Sequence, residues 1–164
     1  SSRSEISLET GLPTETAKST RSAPGGAGNV VANLCSLGAA RVCACGVVGN
    51  DRYGRELRYL LEEAGAATED LLVQEADWIT HTYVKVYENG SERPRLDYGN
   101  FNSLSDETSD LLLERIRRRL SGADVVIINQ QVPAGIHTDR FRTALANLVA
   151  SASPRLFNFL IAPE

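Results

Sequence analysis

Apolar residues along this chain recur at two distinct periods. Val30, Val31, Leu34 and Leu37 fall on one helical face, and Gly38 follows them; glycine suits the left-handed position just past a helix end. The same spacing returns at Tyr53, Leu57, Leu60, Leu61 and Ala64 before Gly65, at Leu112, Ile116 and Leu120 before Gly122, and at Phe141, Leu145, Leu148 and Val149. Between these stretches lie unbroken apolar runs of strand length, "RVCACGVVG", "DVVIIN" and "RLFNFLIA". Helices alternating with fully apolar strands predict an α/β fold, a parallel sheet covered by helices on both faces. Ligands of such sheets gather at the carboxyl ends of the strands.

Residues 80–98, "THTYVKVYENGSERPRLDY", keep a different rhythm. Thr82, Val84 and Val86 alternate with Tyr83, Lys85 and Tyr87 until Asn89-Gly90, the strongest short-range signal for a β-hairpin. A two-sided ribbon cannot lie within a fully buried sheet, so it is expected to project. It serves either as a lid over a polar ligand or as a plain surface hairpin.

Composition narrows the class. With 164 residues, 42% of them hydrophobic and 23% charged, the chain is sized for one cored domain. No apolar run approaches the length of a membrane span, and no basic-then-apolar leader opens the sequence, so a cytoplasmic location without membrane partners is expected. The net charge of -4 argues against a nucleic-acid surface, and the basic run "ERIRRRL" reads as a solvated helix face. Cys35, Cys43 and Cys45 have no spacing that would supply zinc, and no metal site is expected. Cys43 and Cys45 are expected as small core residues on one face of their strand.

The chemistry concentrates at "PGGAGNVVAN", residues 24–33, where Gly25, Gly26 and Gly28 precede Asn29 at the start of the first helical pattern. Bare backbone at a helix start lets a ligand come close to free N–H groups. A tight turn that only serves chain geometry is the plainer alternative. A nucleotide P-loop is excluded, because Asn29 stands where Gly-Lys-Ser/Thr would be needed. A dinucleotide fingerprint, Gly26-x-Gly28-x-x-Val31 with Asp51 beyond it, lacks both the third small residue and a preceding strand, and is a distant alternative.

"GGAGNVVANLCSLGA", "VVGNDRYGRELRYLLEEAGAATEDL" and "THTYVKVYENG" together resemble the N-terminal half of the ribokinase (PfkB) superfamily of sugar kinases, over nearly all of residues 22–150. Gly25, Gly26 and Asn29 match that family's glycine loop, and Gly49, Asp51 and Gly54 match a second loop. The "TYVKV" and "RLD" pieces look nearest to its heptose 7-phosphate kinase branch. The resemblance implies that residues 1–164 are the N-terminal part of one sugar-kinase domain with a lid at about 80–98. The nucleotide-binding half and the Gly-Ala-Gly-Asp catalytic segment are absent, so no catalytic base is expected here and the isolated chain is expected to be inactive. ATP and magnesium are then cofactors of the parent protein, a sugar or sugar phosphate is its partner, and lids in related kinases imply a homodimer joined through the hairpin. Gly25, Gly26, Gly28 and Asn29 become acceptor-binding residues, the amide of Asn29 being able to bridge two neighbouring hydroxyls. Gln131, in "NQQVP", falls where related kinases place a sugar-contacting acid or amide, or else serves as a capping amide. Lys85 either meets a substrate phosphate from the lid or is a solvated ribbon lysine. A non-catalytic sugar-binding or subunit-interaction module is the competing reading.

Overall fold

The computed structural model describes residues 5–152 and 158–161. The first helix, α1 (Gly25–Ser36), ends where Gly38 takes a left-handed φ of 81°. β1 (Cys43–Gly49) follows, then α2 (Arg52–Glu63), whose N-cap Asp51 accepts a hydrogen bond from the Gly54 amide. Gly65 closes α2 at φ 93° and hands the chain to β2 (Ala67–Gln74), which pairs in parallel with β1 from Cys43↔Ala67 to Gly49↔Gln74.

The ribbon comes next. β3 (Thr82–Val84) and β4 (Tyr87–Glu88) run out to a turn at Asn89 and Gly90, both at positive φ, and β5 (Ser91–Glu92) and β6 (Leu96–Tyr98) return. The outer pair β4–β5 and the inner pair β3–β6 are both antiparallel. Between them Lys85 and Pro94–Arg95 leave the ladder, as expected of a proline that has no N–H to donate. Thr82 and Val84 are half-buried and Tyr83 and Lys85 exposed, so the expected alternation holds in the inner ribbon, whereas Val86 is exposed as well. Beyond the ribbon lie α3 (Asp106–Leu120), capped by Ser105, then β7 (Val126–Asn129), α4 (Asp139–Ala150), capped by Thr138, and β8 (Asn158–Ile161), parallel to β7.

Two apolar clusters sandwich the strands. Val42, Ala44, Leu61, Ala66 and Leu71 pack with Val31, Leu34 and Leu57 from α1 and α2. Leu72, Leu112, Phe141 and Leu145 pack with Val47, Ile116 and Ile128 on the α3 and α4 side. Adjacent Leu71 and Leu72 thus point into opposite cores, the alternation a strand imposes when both faces are covered. The α/β architecture with helices on both faces is therefore present. Among the described residues the strands form two hydrogen-bonded parallel pairs, β1–β2 and β7–β8.

Three features depart from the sequence reading. β2 carries no continuous apolar run, since Thr68, Asp70 and Gln74 are polar and buried. Arginines from the helices meet this polarity: Arg58 on α2 donates to the carbonyls of Thr68 and Leu71, and Arg119 on α3 pairs with Asp70 at 2.5 Å, with Arg115 at 3.7 Å. The basic run of α3 is accordingly not only a solvated face, because two of its arginines grip a buried carboxylate. Finally, Cys43 and Cys45 do share a strand face, but it is the face beside Asp70. Cys43 is half-buried and Cys45 exposed, while Ala44 and Val48 on the other face are buried.

Candidate functional site

α1 begins unusually bare. Pro24 occupies its N-cap without a side-chain hydrogen bond, and no acidic residue stands in its first turn. The first-turn N–H groups, which an N-cap side chain would otherwise engage, are left to meet a ligand or solvent. Gly25 has a φ of 72°, a left-handed angle that a side chain would strain. Gly25, Gly26 and Asn29 are exposed.

The glycines divide by role. A β carbon added at Gly26 would land on the carboxamide of Gln131, so the loop after β7 lays this side chain directly over the start of α1. Gly28 instead is buried against α2: an added β carbon would stand 2.6 Å from Pro24 Cβ and 3.3 Å from Leu57 Cδ1. Its bareness serves the helix crossing. Gly26 and Gln131, read separately in the sequence, are thus brought together, with Asn29 one turn further along α1. Lys85 is engaged within the ribbon, 3.3 Å from Glu92, which also accepts a 2.8 Å hydrogen bond from the Tyr87 hydroxyl.

The second loop, Gly49 to Gly54, forms a knot that fastens the ribbon to the sheet. Asp51 Oδ1 accepts from the Gly54 amide and Oδ2 from the Thr80 amide, each at 2.8 Å, while Thr80 Oγ1 accepts from the Gly49 amide at 2.9 Å. Burial pushes the Asp51 carboxyl up, but hydrogen bonds from Thr80, Gly54 and Tyr53 outweigh it and hold the carboxyl below its ordinary value. No side chain fits at Gly49 or Gly54, which lie against Trp78 O and Gly49 O respectively.

Two further amides complete the root. Asn102 accepts from the Ile79 amide and donates to the Ile79 carbonyl, both at 2.8 Å. Gln74, at the carboxyl end of β2, donates to Ala76 O and Ser103 O and accepts from the Ser105 amide. Thr80, Gln74 and Asn102 were not singled out in the sequence. Thr80 opens the alternating run, the one local signal that could have pointed to it. For the two amides no local pattern exists, because most of their partners lie 23 to 31 residues away.

His81 lies edge-on to Trp78, ring centroids 6.1 Å apart, and burial lowers its pKa. His137 is likewise lowered by burial, against an opposing hydrogen bond between Nε2 and the Asn129 carbonyl at 3.1 Å. A shallow groove of about 310 Å³ beside the ribbon root is lined by Trp78, Ile79, Phe101 and Asn102 with Glu75 and Asp77. None of the six candidate residues lines it. Among the described residues no group of three or more His, Cys, Asp or Glu could hold a metal ion, and no helix is long and apolar enough to cross a membrane.

Comparison with known proteins gives this geometry a context. Residues 4–156 match the model of the pfkB family carbohydrate kinases. The bifunctional protein HldE of Wolinella succinogenes is 31% identical over 132 residues, covering 80% of this chain and 27% of that protein. A sugar kinase of Pyrococcus horikoshii in complex with ATP superposes with a TM-score of 0.57 at 18% identity, over 97% of this chain and 48% of that one. Ribokinase from Cryptococcus neoformans var. grubii in complex with ADP gives 0.56 at 19% identity, over 95% and 43%. The chain therefore spans under a third of the HldE protein it matches and under half of these two solved kinases.

Proposed function

The chain belongs to the pfkB family of carbohydrate kinases, and from that premise we propose that it forms the acceptor-binding part of an ATP-dependent sugar kinase. The observation that carries the reading is the placement of the Gln131 carboxamide over Gly26, at the uncapped start of α1. A sugar presents several hydroxyls that must be held while one of them attacks a phosphoryl group, and positioning supplies most of the catalysis in such transfers. In this reading the first-turn N–H groups of α1 donate to hydroxyl oxygens, Asn29 donates and accepts at neighbouring hydroxyls, and Gln131 closes the opposite side. The ribbon, fastened by Asp51 and Thr80, covers the bound sugar. If the acceptor is a sugar phosphate, Lys85 exchanges Glu92 for the phosphate. ATP and magnesium belong to the whole kinase, and no step is assigned to them among the residues described.

The test uses the full-length gene product that carries this chain, with ATP and with heptose 7-phosphate, ribose and fructose as acceptors. Asn29→Ala should weaken acceptor binding by about 1–3 kcal/mol through lost hydroxyl partners and leave the KM for ATP nearly unchanged. An equal loss for both substrates would make the loop a structural element. Sugar binding without phosphate transfer by the wild type would favour a binding module.

A further inference from the structure

β7 ends at Asn129, two residues before Gln131, and this strand end is firmly held. The Asn129 carbonyl is engaged by His137 Nε2, and the His137 ring lies edge-on to the fully buried Phe141, centroids 6.0 Å apart. Ile128 packs into the core beneath α3 and α4. Strand alternation therefore turns Asn129 toward the other side of the strands, the side from which α1 brings Gly26 against Gln131. The side-chain nitrogen of Asn129 is shut off from solvent and, among the described residues, has no hydrogen-bond partner.

A buried amide donor without a partner is costly, and most such groups in folded proteins are paired. An orphan fixed at a strand's carboxyl end, next to the amide that overlies the glycine loop, gains its missing partner when the Gln131 side chain swings aside and an oxygen enters from the loop side. We propose that Asn129 is a specificity-determining residue of the acceptor site, donating a hydrogen bond from its side-chain amide to one hydroxyl of a polyhydroxylated ligand. The inference rests on the acceptor-site reading above and adds to it a third amide, alongside Asn29 and Gln131. A site built to donate to a particular hydroxyl rejects the analogue that lacks it, because the donor is then left buried and unpaired.

The experiment compares the full-length gene product with its Asn129→Leu variant on heptose 7-phosphate and on its monodeoxy analogues. Asn129→Leu should raise the KM for heptose 7-phosphate by about 10- to 100-fold. The KM for ATP should not move, and Tm should hold or rise, since an apolar side chain of similar size removes the orphan donor. For one analogue the wild type should lose about tenfold or more in kcat/KM while the variant loses nothing further. Should Asn129→Leu fail to fold, Asn129→Ala decides by the same comparison of analogues. Wild-type turnover with a variant whose KM and discrimination are unchanged overturns the inference alone. Absence of wild-type phosphorylation and binding of heptose 7-phosphate, ribose and fructose overturns the acceptor-site reading and this inference together.

Discussion

A methyl group added at residue 26 and one added at residue 28 should behave very differently. At Gly26 the atoms nearest the new β carbon are those at the far end of Gln131, which can swing aside, while alanine adds helix propensity. Gly26→Ala should therefore leave Tm unchanged or slightly raised and increase the acceptor KM, because Gln131 is displaced from the site. At Gly28 the β carbon meets the Pro24 ring and Leu57, which are held by packing, so Gly28→Ala should cost about 1–3 kcal/mol and lower Tm. Thermal melts paired with acceptor kinetics separate the two. Asp51 gives a pH signature. Its folded pKa lies below the unfolded value of about 3.9, so its contribution to stability is present above that value and is lost as pH falls through the folded one. Asp51→Asn should lower Tm at pH 7 and flatten the acid limb below about pH 4; parallel acid limbs for variant and wild type would rule this out. What the sequence revealed at this scale follows from locality. The glycine loop announces itself by composition and Gln131 by its place after an apolar run, whereas the pairing of Asn102 with Ile79 or of Gln74 with Ser105 joins distant positions that no periodicity links.

At the scale of elements, the four helices among the described residues were legible because each carries an apolar stripe, and a glycine marks the end of the first three. β2 was not, because its buried side chains include Thr68, Asp70 and Gln74, and an apolar pattern cannot report a strand whose burial is matched by arginines from elsewhere. The ribbon was legible in its turn and alternation, but its division into inner and outer pairs comes from Pro94, a backbone effect beneath the side-chain pattern. Tyr83, Val86, Tyr87 and Leu96 leave much of the ribbon's apolar surface exposed, which supports the proposal that two ribbons meet in a homodimer. Val84→Asp would place a charge on the half-buried face. If two ribbons join copies of the full-length protein, the variant should run as a monomer where the wild type is a dimer, and the acceptor KM should rise; light scattering that shows the same assembly for both, with KM unmoved, would remove both roles from the ribbon.

Taken as a whole molecule, the described residues build two apolar cores around parallel strands and, in the proposed reading, one edge of an acceptor site. The 164-residue chain contains no Gly-Ala-Gly-Asp segment and spans under half of the Pyrococcus horikoshii and Cryptococcus neoformans kinases. Purified alone, it should transfer no phosphate from ATP to heptose 7-phosphate, ribose or fructose in a coupled assay; any sugar-dependent turnover would mean that the catalytic groups lie within these residues. The knot of Asp51, Thr80 and Gly49 has a kinetic corollary. It ties the ribbon root to the end of β1 and the start of α2, and Tyr98 leans on Tyr53 of α2 at 5.6 Å. Among the described residues the outer pair beyond Pro94 has no such anchor in the sheet. In deuterium exchange, the amides of Glu88 and Ser91 should then report frequent local opening. Those of Gly49, Gly54 and Thr80 should exchange only when β1 and α2 come apart, so the ribbon would belong to two cooperative units whose boundary is a single proline.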